Sequence, residues 1–188
     1  MQTFVPLPDF GECARVLDRQ RLNKQRTECQ QILSALRSLR IHESGLATPK
    51  GWTRHPATLM WRGYEAALGV YMTFMVLEWE RRGYANNTST PYSRRTFLRN
   101  DGYSTDPVFV PDGRDAELPP WWGDDRVHSS HRNALLYKDQ EHYRQFQWGG
   151  LPILDYFWPI AAEREYTPDP VHPGAQYQSV VDRRKGSA

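Results

Sequence analysis

The sequence predicts a compact, single-domain, all-α fold, and three observations favour this class. Apolar residues recur at helical spacing in several segments, and none of these segments alternates apolar and polar residues as a half-buried strand would. The chain of 188 residues has about the length of one ordinary domain. Hydrophobic residues make up 39% of it and aromatic residues 13%, so we expect a helical bundle whose core relies on a few large rings.

The first half of the chain is predicted to contain a short helix and two longer helical segments. After an extended lead-in at residues 1–8, Asp9 followed by Glu12 is typical of a helix start, and apolar spacing continues to residue 17. The next helix runs from about residue 20 to residue 39 and has an apolar stripe formed by Leu22, Cys29, Leu33 and Leu36. Pro56 begins a segment that reaches about residue 84, with Gly63 placed to split it and Gly83 placed as a C-cap.

The second half of the chain is less regular. Residues 85–123 are rich in Asn, Pro, Gly, Ser, Thr and Asp without any period, which predicts a long surface insert. Helical spacing returns at residues 128–137 and again after Asp139, a predicted N-cap, and an aromatic, irregular segment follows at residues 146–158. The domain is therefore expected to span residues 1–167, and residues 168–188 are expected to form a polar tail.

Charge is distributed unevenly along the chain. Residues 14–40 carry seven lysines and arginines against two acidic residues, whereas acidic residues gather between positions 101 and 125. The net charge of +2 does not by itself indicate a nucleic-acid partner. A basic face is suited to phosphates, but a solvated helix face is the simpler explanation of the same pattern.

Several function classes are disfavoured by composition. Cys13 and Cys29 form no CxxC motif, which argues against a disulfide framework and against a structural zinc site. No apolar run approaches the roughly 18 to 20 residues that span a bilayer, and Pro6 and Pro8 interrupt any signal-like start. We therefore expect a cytoplasmic monomer with no metal, no cofactor and no membrane partner.

The most informative segment surrounds a single carboxylate on the second predicted helix. At about 100° per residue, Glu28 shares one flank of this helix with four basic or amide side chains, which are Gln20, Arg21, Lys24 and Gln31. Cations beside Glu28 favour its ionised form and attract phosphates, and the amides can hydrogen-bond bases or sugars. An alternative without any activity is an ordinary helix surface with ion pairs four residues apart, such as Lys24 with Glu28.

Other candidate sites have equally simple alternatives. His128 and His131 lack a third ligand, so polar or phosphate contacts are favoured over zinc. His55 precedes a helix N-terminus, which suits an anion or a simple turn. Trp61 is favoured as a core residue over a base-stacking one. The insert carries a basic and aromatic cluster suited to a DNA groove, or no ordered site at all, at Tyr92, Arg94, Arg95, Phe97 and Arg99.

Several blocks, taken in order, resemble the pyrimidine-dimer DNA glycosylase family, of the phage endonuclease V type. The resemblance covers about residues 1–159 apart from the insert, and it is greatest to the bacterial and phage branch. It is carried by the opening Met-Gln-Thr-Phe, Leu17-Asp-Arg-Gln-x-Leu-x5-Glu28, Arg54-His-Pro, Met60-Trp-Arg-Gly-Tyr-Glu65, Glu78-Trp-Glu-Arg-Arg-Gly-Tyr84 and the segment from His128 to Tyr143.

The resemblance implies a compact all-α enzyme that binds double-stranded DNA containing damaged or modified pyrimidines. It implies excision of a pyrimidine and cleavage of the abasic strand through a Schiff base, with the α-amine of Met1 as the nucleophile and Glu28 assisting. An α-amine has a pKa near 8, so a useful fraction is neutral and nucleophilic at pH 7. The residues expected at the DNA interface are Gln2, Gln20, Arg21, Lys24, Arg26, Gln31, His55, Arg132 and Lys138.

Three departures from the family pattern bear on dimer specificity more than on DNA binding. Thr27 stands where arginine is common in the family, and Arg26 could replace that arginine only by reaching around the helix. Gln2 stands where the phage enzyme has a cation. Arg21 stands where the phage enzyme has a histidine. Two other functions therefore remain alternatives: a non-catalytic module that recognises distorted or modified DNA, and an interaction protein with an acidic partner.

Overall fold

A computed structural model describes residues 2–45, 48, 51–90 and 116–159, together with the backbone of residues 98–99, 102–103 and 177–179. It confirms the all-α prediction. The helices of this described part are α1 (Phe10–Val16), α2 (Arg19–Glu43), α3 (Pro56–Leu59), α4 (Glu65–Arg81), α5 (Asp125–Lys138) and α6 (Gln140–Tyr143), followed by a 3-10 turn at Arg144–Phe146. Among these residues, no helix combines the length and the apolar character that crossing a bilayer requires.

Helix α4 forms the centre of the fold, and both α1 and α2 pack against it. Every residue of α4 from Ala67 to Trp79 is buried, which is typical of a helix covered on all sides. The predicted split of the segment from residue 56 to residue 84 is confirmed, because Gly63 has a φ of 81° between α3 and α4. Gly83 also has a φ of 81°, immediately after the C-cap Arg82, as the sequence predicted.

Four of the six helices in the described residues begin at an aspartate. Asp9, Asp18, Asp124 and Asp139 are the N-caps of α1, α2, α5 and α6, and each side chain accepts a backbone N–H of the first turn. Such a cap contributes about 1 kcal/mol, because it satisfies donors that have no partner within the helix. The predicted starts at Asp9 and Asp139 are confirmed.

The apolar stripe of α2 differs from the prediction at one position. Leu22, Cys29 and Leu36 are buried as expected, but Ile32 is fully buried whereas Leu33 is only partly so. The stripe in the structure has a spacing of three or four residues, with the fully buried Gln25 as its polar member, and it consists of Leu22, Gln25, Cys29, Ile32 and Leu36. Arg26 and Ala35 are also buried beside it.

The lead-in is part of the core, which the sequence did not predict. Residues 2–6 are all buried, and extended chain of this kind must find hydrogen-bond partners outside any helix. The N–H of Val5 donates to His131 Nδ1 at 2.9 Å, and His128 Nδ1 lies 2.7 Å from the Val5 carbonyl oxygen. Trp61 Nε1 donates to Thr3 Oγ1 at 2.9 Å, so the prediction of Trp61 as a core residue is confirmed.

Burial of His131 makes the fold sensitive to acid. Desolvation lowers the pKa of this fully buried histidine from 6.5 to about 3. The folded state therefore stays neutral while the unfolded chain takes up a proton below pH 6.5, so stability is complete above pH 6.5 and is lost as the pH falls towards 3. We expect the free energy of unfolding to be about 2 kcal/mol lower at pH 5 than at pH 7 from this histidine alone.

Urea unfolding followed by tryptophan fluorescence between pH 5 and pH 7.5 measures this effect. His131→Gln keeps an acceptor for the Val5 N–H but does not titrate, so its stability should vary less with pH. Other groups with shifted pKa values, such as His128 and Glu28, are present in both proteins, so the difference between variant and parent isolates the contribution of His131. Equal pH dependence in the variant and the parent would contradict the prediction.

A buried ion pair joins α4 to the end of α1. Glu78 is fully buried. Its Oε2 lies 2.6 Å from Arg81 Nε, and its Oε1 lies 2.7 Å from Arg82 Nε. The Arg82 guanidinium also donates to the carbonyl oxygens of Ala14, Arg15 and Leu17, which lie at the C-terminal end of α1. These last carbonyls of a helix lack intrahelical partners, so Arg82 satisfies them while Glu78 balances its charge.

The described residues also include four short strands. Strands β1 (Leu98–Arg99) and β2 (Gly102–Tyr103) pair antiparallel within the predicted insert, and β3 (Phe157–Pro159) pairs antiparallel with β4 (Tyr177–Ser179) from the predicted tail. Strand β3 packs against α5. The side chains of the basic and aromatic cluster at residues 92–99 lie outside the described residues.

Candidate active site

A cleft of about 240 Å³ opens where the lead-in crosses α2. Gln2 and Phe4 of the lead-in form one wall, and Gln20, Arg21, Lys24 and Glu28 of α2 form another, while Lys138 and Tyr156 complete the lining. The four side chains from α2 lie on one face of that helix, since steps of one, three and four residues separate Gln20, Arg21, Lys24 and Glu28. The cleft therefore combines a single carboxylate with three cations and two amides.

Among the described residues, Glu28 is the one acidic side chain that lines this cleft. Its Oε2 accepts the backbone N–H of Gln2 at 3.1 Å and lies 3.4 Å from Gln25 Nε2. Burial raises the pKa of Glu28, while the hydrogen bond from Gln2, the positive start of the chain and Lys24 act in the opposite direction. A raised pKa makes a carboxyl group a better proton acceptor when ionised and leaves a larger fraction of it protonated, which suits general acid and base chemistry.

Arg21 is held in a fixed orientation at the rim of the cleft. Its guanidinium lies 3.2 Å from Asp18 Oδ2, 3.2 Å from the Lys138 carbonyl oxygen and 3.6 Å from Asp139 Oδ2. Asp18 is itself fixed, because its Oδ2 accepts the Tyr143 hydroxyl at 2.5 Å. A planar donor fork fixed in this way is pre-organised to bind a phosphate or carboxylate group.

Lys138 brings a cation from the end of α5 to the same cleft. Burial lowers its pKa, and the neighbouring charges of Arg21 and Lys24 lower it further. Mutual repulsion of this kind indicates a local excess of positive charge, which a bound anion would relieve.

Six of the predicted site residues are brought together in this cleft: Gln2, Gln20, Arg21, Lys24, Glu28 and Lys138. Met1, the predicted nucleophile, lies outside the described residues. Gln31 is exposed on α2 and does not line the cleft.

Arg26 lies on a different flank of α2, away from the cleft. It is 7% exposed, its guanidinium carbon is 4.2 Å from the centre of the Trp79 ring, and its Nη1 donates to Asn86 Oδ1 at 2.7 Å. Desolvation lowers its pKa. Held in this way, Arg26 does not take the place of the family arginine at Thr27, whose own side chain is exposed.

His55 and Arg132 also lie outside the cleft lining, and both make structural contacts. His55 is the N-cap of α3, where its Nδ1 accepts the Ala57 N–H at 3.1 Å. Arg132 donates to the Pro6 carbonyl oxygen at 2.9 Å and to Asp125 Oδ1 at 2.6 Å.

The two histidines of α5 bind the lead-in rather than forming part of a ligand set. His128 Nε2 accepts the Gly123 N–H at 3.0 Å, so its Nδ1–H is the donor to the Val5 carbonyl oxygen. Within the part of the chain that the structure describes, no three histidine, cysteine or acidic side chains are grouped as a metal site would require.

Three residues around the cleft were not predicted from the sequence. Phe4 and Tyr156 line it, and Gln25 lies directly behind Glu28. Only Gln25 had a signal in the sequence, because it is a polar residue at an apolar position of the α2 stripe. Phe4 and Tyr156 look like any other aromatic residue of a core.

Comparison with known proteins gives one family match. Residues 1–91 match the family model described as pyrimidine dimer DNA glycosylase. No curated protein and no solved structure matches the chain. The matched region includes the lead-in and all of α2, and hence six of the eight residues that line the cleft. This part of the chain, residues 1–91 of 188, is therefore similar to the pyrimidine dimer DNA glycosylase family, a family of DNA glycosylases of pyrimidine-dimer repair.

Proposed function

We propose that this protein is a DNA glycosylase with abasic-site lyase activity that excises damaged or modified pyrimidines from duplex DNA. The α-amine of Met1 is the nucleophile, and Glu28 is the proton-transfer group. Gln20, Arg21, Lys24 and Lys138 bind the phosphates and sugar edges next to the target nucleotide.

One observation carries the proposal: the Gln2 N–H donates to Glu28 Oε2 at 3.1 Å. The Gln2 nitrogen is bonded directly to the carbonyl carbon of Met1, and adjacent backbone nitrogens are about 3 to 4 Å apart in any conformation. In the proposed mechanism the α-amine of Met1, one residue before this contact, and the Glu28 carboxylate act on the same deoxyribose.

The chemistry divides between these two groups. The neutral amine attacks C1′ as the bond from C1′ to the pyrimidine nitrogen breaks, and the pyrimidine leaves with that electron pair. The amine then gives up a proton and O4′ accepts one as the C1′–O4′ bond opens, which leaves a protonated imine. Glu28 delivers the proton to O4′, and its carboxylate then removes a proton from C2′, so that the 3′ phosphate is expelled by β-elimination.

Charge around the cleft supports a polyanionic substrate. Arg21, Lys24 and Lys138 surround Glu28, and the fixed guanidinium of Arg21 is suited to a phosphate on the strand that is cut. Release of counterions from DNA makes such binding weaken steeply as salt rises. Because a base must leave the helix before its C1′ can be reached, the target nucleotide is expected to be flipped or exposed by bending.

Borohydride trapping tests the proposal. Sodium borohydride reduces the imine to a stable amine, so we expect a covalent adduct between the protein and a duplex with one abasic site or one cyclobutane dimer. Peptide mapping of the adduct should assign it to the first residue. If the protein binds both duplexes but forms no adduct with either, the lyase mechanism is contradicted. The alternative of a non-catalytic DNA-binding module would then be favoured.

A further inference from the structure

A buried amide lies between the acid of the cleft and the first residues of the chain. Gln25 is fully buried, and its Oε1 accepts the Phe4 N–H at 2.9 Å and lies 2.8 Å from the Tyr71 hydroxyl. Its Nε2 donates to the Gln2 carbonyl oxygen at 3.1 Å and lies 3.4 Å from Glu28 Oε2. Each polar position of the amide therefore has a neighbour, and the single hydrogen of the Tyr71 hydroxyl is shared between Gln25 Oε1 and the Phe4 carbonyl oxygen, which lies 2.7 Å from that hydroxyl.

These partners allow only one orientation of the Gln25 amide. If the amide were turned over, its N–H groups would face the Phe4 N–H, and its oxygen would face the Gln2 carbonyl and the Glu28 carboxylate. Each of those pairings sets donor against donor or acceptor against acceptor, which is costly in a buried site.

The amide connects the two reacting groups of the proposed mechanism through one carboxylate oxygen. Glu28 Oε2 meets the Gln2 N–H at 3.1 Å and Gln25 Nε2 at 3.4 Å, and the same Nε2 binds the Gln2 carbonyl oxygen. The peptide that follows Met1 and the carboxylate are thus held against a common support on α2. A shift of either group by about 1 Å can slow a reaction by about a hundredfold, so such a support matters to the rate.

We propose that Gln25 is a positioning residue that sets the distance between the α-amine at the start of the chain and the Glu28 carboxylate. This inference rests on the proposed function. Gln25 does not contact the sugar, since it lies behind Glu28 and does not line the cleft. It acts by fixing the backbone of residues 2–4 and by donating to Glu28.

Gln25→Leu tests this role, because leucine has a similar volume but no hydrogen-bonding group. Single-turnover cleavage of an abasic duplex should be about 10- to 100-fold slower, while the dissociation constant for the duplex changes less than about twofold. The Gln25 hydrogen bond lowers the pKa of Glu28. Its loss should therefore move the acidic limb of the rate–pH profile to higher pH, which loss of stability alone would not do.

Two further variants keep the test decisive. Ile32→Val removes one methylene from the same buried stripe of α2 and should leave both the rate and the pH profile unchanged. Tyr71→Phe keeps the ring packing but removes the hydroxyl that lies between Gln25 Oε1 and the Phe4 carbonyl oxygen, so it weakens the same attachment of the lead-in to Gln25 and should slow cleavage by several-fold. Thermal unfolding of each variant establishes which are folded, and if Gln25→Leu is not folded then Tyr71→Phe decides.

The outcomes separate this inference from the proposed function. If the parent protein forms no borohydride adduct, the proposed function fails. If the parent forms the adduct but folded Gln25→Leu, or Tyr71→Phe in its place, cleaves at the parental rate with the parental pH profile, the positioning role of Gln25 is overturned.

Discussion

A protein lengthened by one residue before Met1 is expected to lose strand cleavage by at least about a thousandfold while keeping its affinity for DNA. The Met1 nitrogen becomes an amide, which is not nucleophilic, and the new α-amine moves about 3.8 Å along the chain. Because residues 2–6 are buried and hydrogen-bonded, the lead-in cannot slide to compensate. Gel-based cleavage of an abasic duplex measures the loss.

The control for this experiment is one additional residue after Ala188. That protein has the same composition but an unchanged start, so it should cleave at the parental rate. Fluorescence anisotropy at low salt should give the same dissociation constant for all three proteins, since the phosphate-binding side chains are untouched. Cleavage by the N-terminally lengthened protein at the parental rate would show that another group is the nucleophile.

Glu28→Gln is expected to reduce strand cleavage by about 100- to 10,000-fold, the range that a positioned acid or base contributes. Glutamine keeps the size of the side chain and an oxygen that can accept the Gln2 N–H, so the lead-in should stay in place. DNA binding should be unchanged or slightly tighter, because one negative charge is removed from a cationic cleft. Single-turnover cleavage and anisotropy measure the two effects separately.

The same substitution at the exposed Glu141 of α6 is a matched control for the loss of one carboxylate. It should leave cleavage unchanged. The acidic limb of the parental rate–pH profile should disappear in Glu28→Gln and remain in Glu141→Gln, since Glu28 supplies the carboxylate of the cleft and Glu141 does not line it. Full activity of Glu28→Gln would favour the non-catalytic DNA-binding alternative.

Much of the fold could be predicted from local sequence. Helix starts depend on an aspartate and the next three residues, so Asp9 and Asp139 were identifiable without tertiary information. The break at Gly63 and the end at Gly83 were also local, because each requires a φ that other residues avoid. The choice between Ile32 and Leu33 was not local, since adjacent residues differ by 100° and the position of α4 decides which is covered.

The site was partly predictable for the same reason. Helical spacing alone places Gln20, Arg21, Lys24 and Glu28 on one face of α2, and this face lines the cleft. The contribution of the lead-in could not be predicted, because its partners His128 and His131 are more than 120 residues away. The contact of Arg26 with Trp79 depends on how α2 crosses α4, which sequence spacing does not specify.

The burial of the lead-in by α5 has a consequence for synthesis on the ribosome. At about 5–20 residues per second, residues 2–6 emerge on the order of 10 s before His128 and His131 do. During that interval the nascent chain lacks the wall that α5 supplies, so residues 2–6 cannot yet take their buried positions. The cleft beside Glu28 is therefore completed only after α5 has been synthesised.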